Sequence, residues 1–160
     1  MAARRGLRIG IISDTHNLLR PQALTALQAS DHIIHGGDIG SDGTILEQLR
    51  AIAPVTAVRG NNDVGEWAKE IRETETIEVA GVRIHVVHDV KTLAINPVAE
   101  SIDVVISGHS HKPRVEQRGT VLYVNPGSAG PRRFKLPVSV AELVIGSDGK
   151  IAARVLLLQA

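Results

Sequence analysis

Two histidines separated by one small residue, in Gly108-His109-Ser110-His111, follow a short apolar run from Val104 to Ile106. If that run is a strand, the glycine lets the chain turn sharply and both imidazoles leave its end together. Neutral imidazoles there could ligate a metal ion, although two histidines in a loop prove little alone. What matters is how the other apolar runs end: in Asp14 and His16, in Asp38, in Asn61 with Asp63, and in His88. With no cysteine in the chain, carboxylate, imidazole and amide are the ligand types available. Two aspartates, an asparagine and four histidines exceed what a single ion with an open position needs, so this inventory fits two ions better than one. A carboxylate such as Asp38 can bridge two cations, and a pair roughly 3.5 to 4 Å apart can clamp the oxygens of a phosphoryl group during in-line displacement. The ligand types suit manganese, iron, nickel, cobalt or zinc without choosing among them.

These residues need elements that bring them to one place. Leu7 to Ile12 reads as a buried strand stopped by Ser13-Asp14-Thr15-His16, and Pro21 then opens a helix with Leu24 and Leu27 on one face. A second strand around Ile33-Ile34 stops at Gly36-Gly37-Asp38. A second helix carries Ile45, Leu46, Leu49 and Ile52 at helical spacing, and Pro54 closes it. Val55 to Val58 is a third strand, followed by Arg59-Gly60-Asn61-Asn62-Asp63. This alternation predicts a parallel, right-handed α/β arrangement, in which the carboxyl ends of the strands share one edge. Beyond it, Thr76–Val79 and Val82–Val87 flank an Ala80-Gly81 turn, Lys91–Ser101 is weakly helical and broken by Asn96-Pro97, and Val121–Val124 is a strand. Val138–Ile145 and Ile151–Leu158 form a last hairpin. The later strands are expected to make a second sheet packed on the first, with helices outside.

A chain of 160 residues with 43% apolar and 22% charged residues is expected to form one globular domain over residues 1–160. Its net charge of +1 supplies no global field for duplex DNA or an anionic membrane, which leaves only a local patch for nucleic acid. Apart from histidine, Trp67, Tyr123 and Phe134 are its only aromatic residues, too few for an extended base-stacking surface. Arg4 and Arg5 precede an apolar run too short for an export signal, no stretch is long enough to span a membrane, and the expected location is cytoplasmic.

In type and order, Asp14-Thr15-His16, Gly37-Asp38, Gly60-Asn61, His88 and Gly108-His109-Ser110-His111 resemble the calcineurin-like metallophosphoesterases. Asn125-Pro126-Gly127-Ser128 with Pro131-Arg132 resembles their small bacterial and archaeal phosphodiesterase branch. The resemblance covers almost the whole chain. It implies an α/β fold of two mixed β-sheets sandwiched between helices and a dinuclear centre with two divalent ions, manganese first among them. By matching motif, Asp14, His16 and His111 would hold one ion and Asn61, His88 and His109 the other, with Asp38 bridging and His16 and Asp38 as the catalytic residues. The substrate class implied is a small phosphoester, with diesters ahead of monoesters.

Two positions depart from the family pattern. Asn62 stands where much of the superfamily has a histidine that protonates the leaving group, and an amide cannot act as a general acid. His88-Asp89-Val90 stands where related chains often read histidine, glycine, histidine, so the surroundings of the second ion differ. His32, His35 and His85 lie in or beside apolar runs and are expected to support rather than ligate, His35 being the best placed behind Asp38. Asp63 either accepts a hydrogen bond from a ligand imidazole or caps the next turn. Arg132 and Arg133 either meet the substrate phosphate or are solvated, and Arg4, Arg5 and Arg8 are read as solvated. The Asn125–Ser128 turn is expected to shape the site's edge. The short connection from Asp63 to His88 leaves no room for a capping domain, so the site should be open. The leading reading is a metal-dependent phosphoesterase. Its rivals are a non-catalytic interaction scaffold of the same fold, such as the one in the retromer complex, and a nuclease of the superfamily. Periodicity alone leaves a homo-oligomer open.

Overall fold

A computed structural model describes residues 6–159, so Arg4 and Arg5 lie outside the described residues. Two five-stranded sheets stack face to face. The first has the order β10-β9-β1-β2-β3, built from β1 (Leu7–Ile12), β2 (His32–His35), β3 (Val55–Ala57), β9 (Ser139–Ile145) and β10 (Ile151–Leu157). The second has the order β4-β5-β6-β8-β7, built from β4 (Thr74–Val79), β5 (Val82–Val87), β6 (Val104–Ile106), β7 (Arg114–Arg118) and β8 (Val121–Asn125). Both sheets are mixed. β1, β2 and β3 run parallel, as do β5, β6 and β8, while β9, β10, β4 and β7 add antiparallel flanks.

The period-two alternation of side chains sorts the apolar residues between two cores. Ile9 and Ile11 of β1 point into the space between the sheets, where they meet Ile84 and Val86 of β5, Ile106 of β6 and Leu143 of β9, all buried. Ile12 and Ile33 face the other way, onto α1 (Pro21–Leu27) and α2 (Thr44–Arg50), which bury Ala23, Leu27, Ile45, Leu46 and Leu49. Each fully buried Ile or Leu removes enough apolar surface from water to contribute roughly 1.5 to 3 kcal/mol. α1 lies so close to β1 that a Cβ on Gly10 would overlap Leu27.

Three expectations are corrected. The last hairpin joins the first sheet, not the second: β9 pairs with β1, in the register Ile9 with Leu143, because its alternate Val140 and Leu143 are buried on opposite faces as a central strand requires. β7 has no counterpart among the expected strands; it is an edge strand with little buried surface on either face, so it lacks a hydrophobic period. Lys91–Ser101 forms no α-helix. A 3-10 turn over Val90–Thr92 and further turns cover the outer face of the second sheet, burying Val87, Ile102, Val105 and Val121.

Six parallel strands from the two sheets therefore discharge at one edge. Beyond the strand ends the backbone stays laddered, with Asp14 N donating to the Gly37 carbonyl (2.9 Å), His16 N to Asp38 (3.0 Å) and Gly108 N to His88 (2.9 Å). The loops carrying the candidate ligands are thus bonded to one another by main chain.

Candidate metal centre

Asp14 follows β1 and is fully buried. Its Oδ2 accepts from the Ser13 hydroxyl (2.7 Å) and from the His109 amide (3.0 Å). Its Oδ1 accepts nothing. Around that bare oxygen stand three imidazole Nε2 atoms, of His111 at 3.4 Å, His16 at 3.8 Å and His88 at 4.0 Å. A buried carboxylate oxygen without a hydrogen bond is costly unless a cation occupies the space beside it.

Asp38 follows β2. Both its oxygens are gripped by Asn62, Oδ1 by the backbone amide (2.9 Å) and Oδ2 by the side-chain amide (3.1 Å). Oδ2 also faces His88 Nε2 at 3.3 Å and His16 Nε2 at 3.7 Å. Burial by itself would raise the pKa values of both aspartates. The Ser13 hydroxyl and adjacent His111 and His88 outweigh it at Asp14, and His88 with the Asn62 bonds outweighs it at Asp38, so both carboxyls are held below their usual range.

The tautomer of His88 is fixed by the fold. Its Nδ1 lies 2.7 Å from the Gly36 carbonyl, a pure acceptor, so Nδ1 carries the hydrogen and Nε2 of the neutral ring presents a lone pair to Asp38. Two acceptors at 3.3 Å repel unless a proton or a metal cation sits with them. Burial disfavours the protonated ring, yet Asp38, the Gly36 carbonyl and Asp14 together raise the His88 pKa, which registers the same demand for positive charge. Buried ring nitrogens Nε2 of His16 and Nε2 of His88 share with Asp14 Oδ1 the lack of any hydrogen-bond partner, as does Nδ1 of His111. The donor set fits divalent cations.

The candidate ligands fall into two clusters, Asp14 with His16 and His111, and Asp38 with His88 and His109; in each, one ligand atom per residue lies within 4.8 Å of the others. Asp38 touches both clusters through His16 and His88. Asn61 is exposed and lines a cleft of about 490 Å³ with His88, Asp89 and His109. Asp14, His16, Asp38, His109 and His111 all have φ between 44° and 69°, the left-handed region that non-glycine residues rarely enter. Such strain costs about 1 to 3 kcal/mol per residue and gathers where function holds it.

The supporting residues divide. His35 is fully buried behind the site; its Nδ1 accepts from Gly37 N (3.0 Å), so its Nε2 hydrogen points at the Thr15 hydroxyl (3.0 Å), which in turn donates to the Ile39 carbonyl (2.7 Å). Burial pushes its pKa down to about 4 and keeps the ring neutral. Asp63 neither contacts an imidazole nor caps the next turn. Its carboxylate accepts backbone N–H bonds from Gly60 (2.9 Å), Ile39 (2.8 Å) and Gly40 (3.3 Å), pinning the loop after β3 to the loop after β2. Arg132 is exposed and directs its Nε to the Leu136 carbonyl of its own loop (3.4 Å). Arg8 is exposed too. His32 and His85 lie away from the clusters, paired with Thr56 and Thr76 on neighbouring strands.

Sequence reading missed the roles of Asn62 and Ser13, and the particular bonds made by the Asn125–Ser128 turn. Asn62 clamps Asp38, Ser13 orients Asp14, and Asn125 Nδ2 donates to the Gly108 carbonyl (3.0 Å) and the Ser110 hydroxyl (3.1 Å), steadying the histidine fork. Ser128 Oγ bonds the Asp14 carbonyl (3.0 Å), so the Asn125–Ser128 turn ties the two ligand loops together. Adjacency to a ligand was the available signal for Ser13 and Asn62, while Asn125 and Ser128 belong to the turn expected at the site's edge. Close approach also dictates two glycines: a Cβ on Gly60 would fall on the Asp38 carboxylate, and one on Gly108 on the Ser13 hydroxyl.

A family model described as the calcineurin-like phosphoesterase superfamily domain matches residues 7–148. A probable metallophosphoesterase of Methanocaldococcus jannaschii is 35% identical, over 92% of this chain and 80% of its own. A phosphodiesterase of the same organism is 32% identical, over 76% of this chain and 83% of its own. Vacuolar Protein Sorting 29 from Cryptosporidium parvum shares the fold, with a TM-score of 0.76 at 18% identity, covering 98% of this chain and all of that one.

Proposed function

The chain belongs to the calcineurin-like phosphoesterase superfamily, and on that premise we propose that it hydrolyses phosphodiesters at two divalent cations, manganese being the first candidate and iron, nickel, cobalt and zinc the alternatives. Asp14, His16 and His111 would hold one ion, Asn61, His88 and His109 the other, with Asp38 between them. When bound, such a pair acidifies a water and neutralises charge on the phosphoryl oxygens. The observation that carries the reading is Asp14 Oδ1, buried without a hydrogen bond and facing three imidazole Nε2 atoms.

The chain's own residues do the positioning. Asn62 and Asp63 hold Asp38 and the loop after β3 in register, while His35, through Thr15, holds the loop after β1. The 24% exposure of the His16 side chain supports reading it at the solvent side of the site, where the ion it would hold could meet an arriving phosphoryl oxygen. Water adds across one P–O ester bond, leaving a monoester and an alcohol. Asn62 cannot protonate that alcohol, which favours leaving groups that need little protonation. Diesters are supported by the name of the M. jannaschii phosphodiesterase. Among the described residues no helix is long and apolar enough to cross a membrane, and the cysteine-free composition suits the cytoplasmic setting included in this reading.

The test is metal analysis of the purified protein coupled to hydrolysis of activated aryl phosphodiesters with each candidate ion. Turnover with bound metal, abolished in Asp38→Asn and His111→Ala, is the expected result. Full activity in either variant, or no turnover by the wild type with any of the ions, would sink the reading.

A further inference from the structure

The histidine fork opens onto surfaces of opposite charge. On the His88 side, the 490 Å³ cleft contains Glu73 and Asp89, and its one cation, Arg59, is already bonded to Glu73 at 3.1 Å. On the other side, Ser110, the residue between His109 and His111, shares a cavity of about 890 Å³ with Lys112, Arg133, Phe134 and Lys135. That surface holds no acid, and among the described residues its three cations make no ion pair. Phe134 is the chain's only phenylalanine and is 90% exposed. Its φ of +54° is a conformation that a bulky residue avoids.

The loop that presents this ring is fixed at its base. Arg20 donates through Nε and Nη2 to the Gly130 carbonyl (3.3 and 3.2 Å), and Leu136 N closes back on the Arg133 carbonyl (3.1 Å). An exposed aromatic set among unpaired cations, on a braced loop beside the candidate ligands, has the chemistry to stack a planar base while the cations meet phosphates. An acidic peptide would use the cations and leave the ring idle.

We propose that Lys112 and the 131–136 loop bind the nucleotide portion of the substrate, a short single-stranded oligonucleotide, with one base stacked on Phe134 and a phosphate beyond the scissile one on Lys112, Arg133 and Lys135. The substrate then leaves the metal ligands over Ser110 and avoids the acidic cleft. A net charge of +1 for the whole chain is compatible with this, because the field is local. The inference rests on the phosphoesterase reading and supplies its substrate class.

Fluorescence anisotropy on the metal-loaded protein tests it, with an end-labelled, phosphorothioate-linked tetrathymidylate that resists cleavage. Phe134→Ala is expected to weaken binding about tenfold and Phe134→Trp to retain it. Lys112→Ala with Lys135→Ala is expected to weaken binding and to flatten the dependence of log Kd on log salt by roughly 0.7 for each phosphate no longer neutralised. Turnover of methyl p-nitrophenyl phosphate, a diester with no base, should stay within twofold in Phe134→Ala. Equal affinity of wild type and Phe134→Ala, or a salt slope unchanged in the double variant, overturns the proposal. So does equal loss of binding to phosphatidylglycerol vesicles, which would reassign the surface to lipid. Failure of the wild type to turn over the small diester would refute the phosphoesterase reading and leave the anisotropy comparison to decide the surface separately.

Discussion

Replacing His35 with asparagine isolates a buried, neutral imidazole that holds the site from behind. Burial lowers its pKa to about 4 from an ordinary 6.5; nearby Asp14 opposes the shift and His88 adds to it. The unfolded chain therefore takes up a proton at His35 first as pH falls. The stabilisation from this group is fully present above pH 6.5 and is lost as pH drops toward 4. The shift corresponds to about 3 kcal/mol at neutral pH, of which about 2 kcal/mol is gone by pH 5. Asparagine keeps an acceptor near the Gly37 amide, lacks the hydrogen that reaches Thr15 Oγ1, and does not titrate. At pH 7.5 the variant should be less stable than wild type by ~1 to 2 kcal/mol, the cost of one buried bond and a small void. Urea unfolding of both proteins in chelator, at pH 7.5 and pH 5, reads the difference between them, in which titrations common to both cancel. The gap should close, or reverse sign, by about 2 kcal/mol at the lower pH. A gap of equal size at both pH values would show that His35 is not held neutral by burial, and the assigned ring tautomer would fall with it.

Asp63→Asn keeps one acceptor oxygen and turns an amide hydrogen toward the Gly60 N–H, so urea unfolding should show a loss of ~1 to 3 kcal/mol and calorimetry weaker metal binding; unchanged values for both would remove Asp63 from the loop clamp. Gly108→Ala drives a methyl onto Ser13 Oγ and against Asp14 Oδ2, and should cost ~1 to 3 kcal/mol with loss of metal affinity, an outcome that wild-type-like thermal unfolding would contradict. Divalent cation at a hundredfold over its Kd should raise the unfolding free energy by ~2.7 kcal/mol, reversed by chelator and absent in Asp38→Asn; a melting temperature indifferent to metal would count against any site here.

The ends of the strands were legible because ligand chemistry demands residue types that apolar runs otherwise avoid. Asp14, Asp38, His88, His109 and His111 could be picked out for that reason, and the structure brings them together. Sheet membership was not legible for the last hairpin, since nothing local in Val138–Ile145 names β1 as its partner; burial on both faces was the available signal. β7 carries its charges, Arg114, Glu116 and Arg118, on one face and offers only Val115 as an apolar residue on the other, with both faces largely exposed at an edge, and so has no hydrophobic period to read. The roles of Asn62, Asp63 and Ser13 escaped because each acts on backbone or on a carboxylate across a long chain separation or through an immediate neighbour, and an amide, an acid or a hydroxyl in a loop has many equal uses. Phe134 is one of too few aromatics to signal base stacking by number; its exposed position is what matters, and position is not written in composition.

Strain and clamping at this edge belong together. Five candidate ligands in the left-handed region, at roughly 1 kcal/mol or more each, would relax in a free loop, and Asp14 Oδ1 would turn to water. They do not relax because neighbouring groups grip them, at Asp14 and His88 on atoms that a metal does not need and at Asp38 on both oxygens, which Asn62 holds. Asp14 is held by Oδ2, His88 by Nδ1, and the ligand loops by main-chain bonds and by Asp63 and Ser128, which leaves Asp14 Oδ1 and the Nε2 atoms of His16 and His88 bare. Hydrogen bonds used in this way convert folding energy from the two apolar cores into an ordered set of unsatisfied donor atoms. The cost of arranging the ligands is then met on folding instead of at the moment of binding, so the affinity of the site should depend as much on Ser13, Asp63 and Ser128 as on the residues that would touch the ions.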